Sequence, residues 1–150
     1  MLEIFWGLKT HAILDVWTIE HLLSGLSVGS AIKKKNHKTF QKVLNLIEHN
    51  HHSWWFDISG VLFFAYMWET LEHYLEEGLA GSAVQYWFQG VEFWPNRFIA
   101  DPLMLVLGYI IAKKFPILVW PARFLSISWL IVHIFIFPHS MYLHGLISRQ

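Results

Sequence analysis

Four mostly apolar stretches divide the chain. Each is about as long as a bilayer-crossing helix, which takes about 20 residues at roughly 1.5 Å each. They are 12–32, "AILDVWTIEHLLSGLSVGSAI"; 53–75, opening "SWWFDISGVLFFAYMWETLEHY"; 95–112, "PNRFIADPLMLVLGYIIA"; and 117–137, "ILVWPARFLSISWLIVHIFIF". Asp15, Glu20 and His21 dilute the first, and Pro102 is expected to kink the third. Between the first two lies 38–52, "KTFQKVLNLIEHNHH", where Phe40, Val43, Leu44 and Ile47 recur at helical spacing. That pattern predicts an amphipathic helix lying along the inner membrane surface. The loop 76–94 carries glycines with Trp87, Phe88 and Phe93, and reads as partly structured and interfacial. The expected fold is all-α: one polytopic domain over 1–150 with four transmembrane helices.

Composition narrows the alternatives. Hydrophobic residues make up 55% of the 150 and charged residues 15%, with 9 Trp and 12 Phe. A soluble helical bundle of this size could not bury so much apolar surface, which favours a bilayer. Formal net charge is zero, so nothing supports nucleic-acid binding. The absence of cysteine excludes disulfides, thiolate metal sites and cysteine nucleophiles. "MLEIFWGLK" has neither a basic n-region nor a small-residue cleavage site, so no cleavable signal peptide is expected.

The basic residues orient the spans. Lys33, Lys34, Lys35, Lys38 and Lys42 lie between spans one and two, Lys113 and Lys114 lie between three and four, and Arg123 begins the fourth. These loops share one side, the cytoplasmic one by the positive-inside tendency, so both termini are expected outside. Trp54, Trp55 and Trp120 then fall near the inner interface, and Trp6, Trp87 and Trp94 near the outer one.

With that orientation the ionisable residues collect in one layer. Asp15, Glu20 and His21 of span one, Glu69, Glu72, His73 and Glu76 of span two, Arg97 and Asp101 of span three, and His133 and His139 from span four onward all reach the outer half. Asp57 alone stays near the inner interface. Glu69, Glu72, His73 and Glu76 are spaced i, i+3, i+4 and i+7, so they form one stripe. His11, Asp15, Thr18 and His21 share a face of span one with Gly25 below, and Glu20 points elsewhere. Arg97 and Asp101 are i, i+4 neighbours on the face of Gly108, and Ser126, Trp129 and His133 make a stripe on span four. Intramembrane carboxylates are costly unless paired, protonated or metal-bound, so they should face inward.

Carboxylates and imidazoles without thiols suit zinc, iron or manganese. Glu69, Glu72, His73, His21 and His133 are the candidate metal ligands, and Glu69, Asp15, Asp101 and Arg97 the candidate catalytic groups. The carboxylate-bridged metal bundles use Glu-x-x-His, whereas "ETLEH" reads Glu-x-x-Glu-His. Bland readings stand beside these. Glu76 and Glu77 read as the solvated end of a helix, His49, His51 and His52 as a solvated cluster, His139 and His144 as interfacial, and Arg97 with Asp101 as a structural ion pair. Haem held by facing histidines of spans one and four is a further option, but it leaves the carboxylates unexplained.

Three stretches resemble signatures of small bacterial membrane proteins grouped loosely as YjdF-like and VanZ-like. "DVWTIEHLLSG" resembles their first helix, with Asp, His, a small residue and Gly. "WETLEHYLEEG" resembles their aromatic-flanked Glu-x-x-Glu followed by Gly. "NRFIADPLMLVLGY" resembles a third, an acidic residue leading by seven positions to Gly, here Asp101 and Gly108. Arg97 stands where those proteins usually carry a second Asp. The resemblance covers roughly residues 11 to 110. It implies a bacterial origin and makes Asp15, His21, Glu69, Glu72 and Asp101 the candidate family residues; that family has no settled activity.

The expectation is a multi-pass protein of the bacterial inner membrane, in contact with lipid, with a carboxylate–histidine site in the outer half of the bilayer. One expected role is a metal-dependent enzyme acting on a lipid or other apolar substrate. Others are an accessory subunit of a larger membrane complex, which the 17% aromatic content favours, and a proton or cation carrier.

Overall fold

A computed structural model describes residues 2–44, 54–88 and 90–136. The histidines at 49, 51, 52, 139 and 144, and the second half of the 38–52 segment, lie outside them. The described residues are helical apart from short connections. A one-turn helix α1 (Leu2–Phe5) precedes α2 (Val16–Leu44), α3 (Trp54–Glu76), α4 (Ser82–Phe88), α5 (Asp101–Lys114) and α6 (Val119–Ile131). Wide π-turns at Asn96–Ala100 and Val132–Ile136 extend α5 backward and α6 forward, and a 3₁₀ turn covers Pro116–Leu118.

The helices match the four apolar stretches closely at three places. At the first they depart: α2 does not stop near residue 32 but runs on through the lysines to Leu44, without a separate start for an inner-surface helix at 38. Among the described residues no single helix is long and apolar enough to cross a membrane alone. Asn96–Lys114 and Pro116–Ile131 meet that test only as a pair bent by 118° at the break.

Local chemistry explains the ends. Asp15 caps α2: its Oδ1 accepts the Trp17 and Thr18 N–H groups at 2.7 and 3.1 Å, and Thr18 Oγ1 accepts the Asp15 N–H at 3.0 Å. α3 ends in a Schellman turn, with Leu79 N bonded to Tyr74 O and Gly78 N to Leu75 O. Gly78 supplies the required positive φ, 78°. Pro102 sits in the first turn of α5, where its missing N–H is harmless. The carbonyl it would otherwise bond, Phe98 O, accepts the Tyr66 hydroxyl at 3.1 Å instead.

α2 is the central helix and packs on α5, α6 and α3. Its closest approach is to α5. A Cβ on Gly25 would lie 2.0 Å from Leu105 O, and one on Gly108 2.3 Å from Leu22 O. Small residues at such crossings let membrane helices meet backbone to backbone. Leu26, Ala112, Val119 and Ala122 form one apolar cluster, and Ile32, Val61, Ala65, Leu105 and Tyr109 another.

The polarity runs inside out. Lys9, Asp15, Asp57, Glu69, Glu76, Asp101 and His133 are wholly buried, while Trp55, Phe63, Trp120, Phe124 and Phe135 are exposed. At one end Lys113 lies over the Trp54 ring, Arg123 over Trp120, and Arg123 Nε donates to Ser27 O. Asp57 ties α3 to its neighbours there, accepting from Tyr109 Oη at 2.8 Å and Asn36 Nδ2 at 3.2 Å. The opposite end holds the acids.

Candidate functional site

Three segments bring acids together at that end. The last turns of α3 present Glu69, Glu72 and Glu76 inward, as their helical spacing predicts. The π-turn before α5 turns Asn96, Arg97, Ala100 and Asp101 all inward. α2 contributes His21, one turn and a half below the Asp15 cap.

Two triads result. One ligand atom each from His21, Glu69 and Asp101 lie within 4.8 Å of one another, and the same holds for Glu72, Glu76 and Glu92. All six residues are buried, so both groups could hold a metal ion.

The triads differ in what already occupies them. In the second, Lys9 Nζ bonds Glu76 Oε1 and lies 3.9 Å from Glu72, while Arg97 bonds Glu76 Oε2. Glu76 Oε2 also accepts the Glu92 N–H at 3.0 Å, and Asn96 Nδ2 donates to Glu92 Oε1 at 2.9 Å. Arg97 Nε stands 3.5 Å from Glu92 and 3.8 Å from Glu69. In the first triad, His21 Nε2 stands 3.3 Å from Asp101 and 3.6 Å from Glu69. No donor meets hydrogen-bond geometry at either oxygen of Glu69 or Asp101, although the Thr18 and Glu92 side chains adjoin Asp101. Four buried oxygens in that condition are costly, since each has lost water without a replacement.

Burial, together with the negative charge of Glu72, Asp101, Glu69 and Asp15, pushes the Glu92 carboxyl up to about 11. Glu92 is therefore a neutral acid at pH 7.

Several expectations need correction. Glu76 is not at a solvated helix end: it is wholly buried beneath Lys9 and Arg97, because the Schellman turn folds the chain back over it. Glu77 is exposed as expected. Arg97 does not pair with Asp101; its contacts go to Glu76, Glu92, Glu69 and, at 3.1 Å, His73 Nδ1. His73 belongs to neither triad and its side chain is half exposed at the rim. His133 is buried but also outside both triads, with Trp17 and Trp129 rings 4.5 and 5.4 Å away. His11 is exposed on the turn before α2 rather than on its inward face. Asp15 is a helix cap, joined to the acids through Thr18 Oγ1, which donates to Asn96 Oδ1 at 3.4 Å.

Sequence reasoning missed Lys9, Glu92 and Asn96. One signal pointed to Lys9: it and Arg97 are the only lysine or arginine residues placed at the acidic end before the C-terminal tail. So many buried acids require both.

A cavity of about 680 Å³ reaches His21 of the first triad. Its walls come from α2, α3, α4, α5 and α6 and include Phe64, Met67, Trp68 and Trp87; among the described residues its ionisable lining is Glu20, His21 and Glu72. No protein-family model, curated protein or solved structure matches this chain.

Proposed function

We propose that this chain is a four-span bilayer protein whose His21–Glu69–Asp101 triad binds one divalent metal, zinc, iron or manganese, and acts on a lipid or other apolar substrate. The observation that carries the metal is the set of four buried Glu69 and Asp101 oxygens with no donor in hydrogen-bond geometry, converging beside an imidazole. A divalent ion offsets two carboxylate charges and fills that convergence, and His21 with two acids is a ligand set such ions accept. Such an ion would supply Lewis-acid chemistry at this site, to activate a water or polarise an oxygen of the substrate. Glu69, Asp101 and His21 hold it, Arg97 fixes Glu69 from the far side, and the Asp15 cap with Thr18 and Asn96 sets the height of α2 against α5.

The bilayer reading draws support from the apolar exterior around a charged interior. The 23 residues of α3 rise about 34 Å, against a hydrocarbon core of about 30 Å. The cation–aromatic pairs Lys113–Trp54 and Arg123–Trp120 then mark the inner interface, and α4 the outer one. The apolar cavity walls suit a lipid chain arriving sideways from the outer leaflet.

Elemental analysis of the purified protein tests the metal. The wild type should carry about one ion per chain, and Glu69→Gln/Asp101→Asn, which removes two of the three ligands, should carry almost none. Near-zero metal in both would sink the reading. The orientation has its own test, helped by the lack of native cysteine: Ser82→Cys should label only from outside, and labelling only from the cytoplasm would reverse the topology.

A further inference from the structure

Glu20 is a buried acid of α2 that neither triad uses. Its side chain leaves α2 toward α6, where Oε1 accepts from Ser126 Oγ and, at 3.2 Å, from Ser24 Oγ. Glu20 is only 6% exposed, yet Oε2 has no hydrogen-bond donor. The other buried acids of this end each face a lysine, an arginine, a histidine or the start of a helix. Lys9 serves Glu72 and Glu76, Arg97 serves Glu76, Glu92 and Glu69, His21 serves Asp101 and Glu69, and the first N–H groups of α2 serve Asp15. Among the described residues Glu20 has no ion-pair partner.

Its position explains what the missing cation could be. Glu20 lines the 680 Å³ cavity together with His21 and Glu72, and among the described residues no lysine or arginine lines it. Trp17, Trp68 and Trp87 line the same cavity. An acid among tryptophans suits an ammonium group, which gains from both the carboxylate and the aromatic quadrupoles. The same lining repels a phosphate or carboxylate head. The rest of the cavity is apolar and suits a hydrocarbon chain.

We propose that the cavity admits an amphiphile with a cationic head, an amine or quaternary ammonium on an apolar chain, and that Glu20 holds the head. This rests on the reading of the cavity as the substrate's path to the His21–Glu69–Asp101 triad, and it narrows the substrate class within it. Glu20 here is a binding residue and takes no part in bond making.

The test uses three bromine-bearing C18 chains that quench tryptophan fluorescence, ending in trimethylammonium, in a hydroxyl or in phosphate. They are titrated into the full chain in an uncharged detergent. The ammonium probe should bind the wild type most tightly. Glu20→Gln keeps the oxygen that Ser126 bonds, and should weaken the ammonium probe about tenfold while leaving the hydroxyl probe unchanged. Glu20→Asp, which keeps the charge, should retain the ammonium preference. Equal ammonium affinity in wild type and Glu20→Gln would overturn the proposal, as would phosphate binding as tightly as ammonium. Repeating the titration after metal removal by a chelator separates the two ideas. Persistent ammonium preference in a protein that never holds metal would leave this proposal standing alone. Bound metal without the preference would remove this proposal and spare the triad.

Discussion

The two triads have the same number of ligands and the same burial, yet the protein fills one far more than the other. Glu76 is closed by an ammonium, a guanidinium and a backbone N–H, Glu72 has the ammonium 3.9 Å away, and the neutral Glu92 takes an amide on Oε1 while its Oε2 has no donor. Glu69 and Asp101 face His21 and a distant Arg97 Nε, with the Thr18 and Glu92 side chains adjoining Asp101. A buried carboxylate stays ionised only where something replaces water. The filled triad therefore holds the fold, and the unfilled one is where a ligand has something to gain.

Breaking the filled side should have the largest effect. Arg97→Leu leaves Glu76 and Glu69 buried with one cation fewer, and should destabilise the protein by about 3–5 kcal/mol, read as a lower melting temperature in detergent. An unchanged melting temperature would mean that the second triad does not depend on its internal cations. Next comes the identity of the filler. Lys9→Met empties one side of Glu72 and Glu76, so bound metal should rise from about one ion per chain toward two. A stoichiometry that does not move would show that the lysine is no substitute for an ion. Asp101→Asn has the opposite sign to Arg97→Leu. It removes a charge that no lysine or arginine among the described residues contacts, so the metal-free protein should gain about 1 kcal/mol; a loss of stability would show that His21, Thr18 and Glu92 hold the Asp101 charge.

The smallest effect concerns pH. Glu92 has a folded value near 11 against an ordinary 4.5, so the folded chain binds a proton there that the unfolded chain releases. Its contribution to stability is then fully present below about 4.5 and falls away as pH rises toward 11. Glu92→Gln should flatten the alkaline decline of the melting temperature. Parallel curves for wild type and variant would count against a neutral Glu92.

How much of this was legible depended on where each residue sits. Glu69, Glu72 and Glu76 were readable as a stripe because a helix imposes its own period. Gly25 and Gly108 were each placed on the right face, since both lie within regular spans. Glu76 was misread because "LEEG" has the composition of a helix running out into water, and a Schellman turn looks the same in sequence whether solvent or chain follows it. Lys9 and Glu92 lie in irregular segments without a period, and Lys9 meets a partner 67 residues away. His133 shared the predicted depth of the acids, but depth does not fix direction, and the Trp17 and Trp129 rings took the face it occupies.

The loop that carries Lys9 has a consequence for assembly. It is fastened by Phe93 N–H to Lys9 O, and by Gly7, Ile13 and Leu14 to each other's neighbourhoods, so its ammonium reaches the acids only as part of a closed unit. Lys9 is made before its counter-charges on α3 and before the segment that precedes α5. The centre can therefore close only once residue 97 has been made, and a chain stalled short of it would lack the guanidinium that holds Glu76.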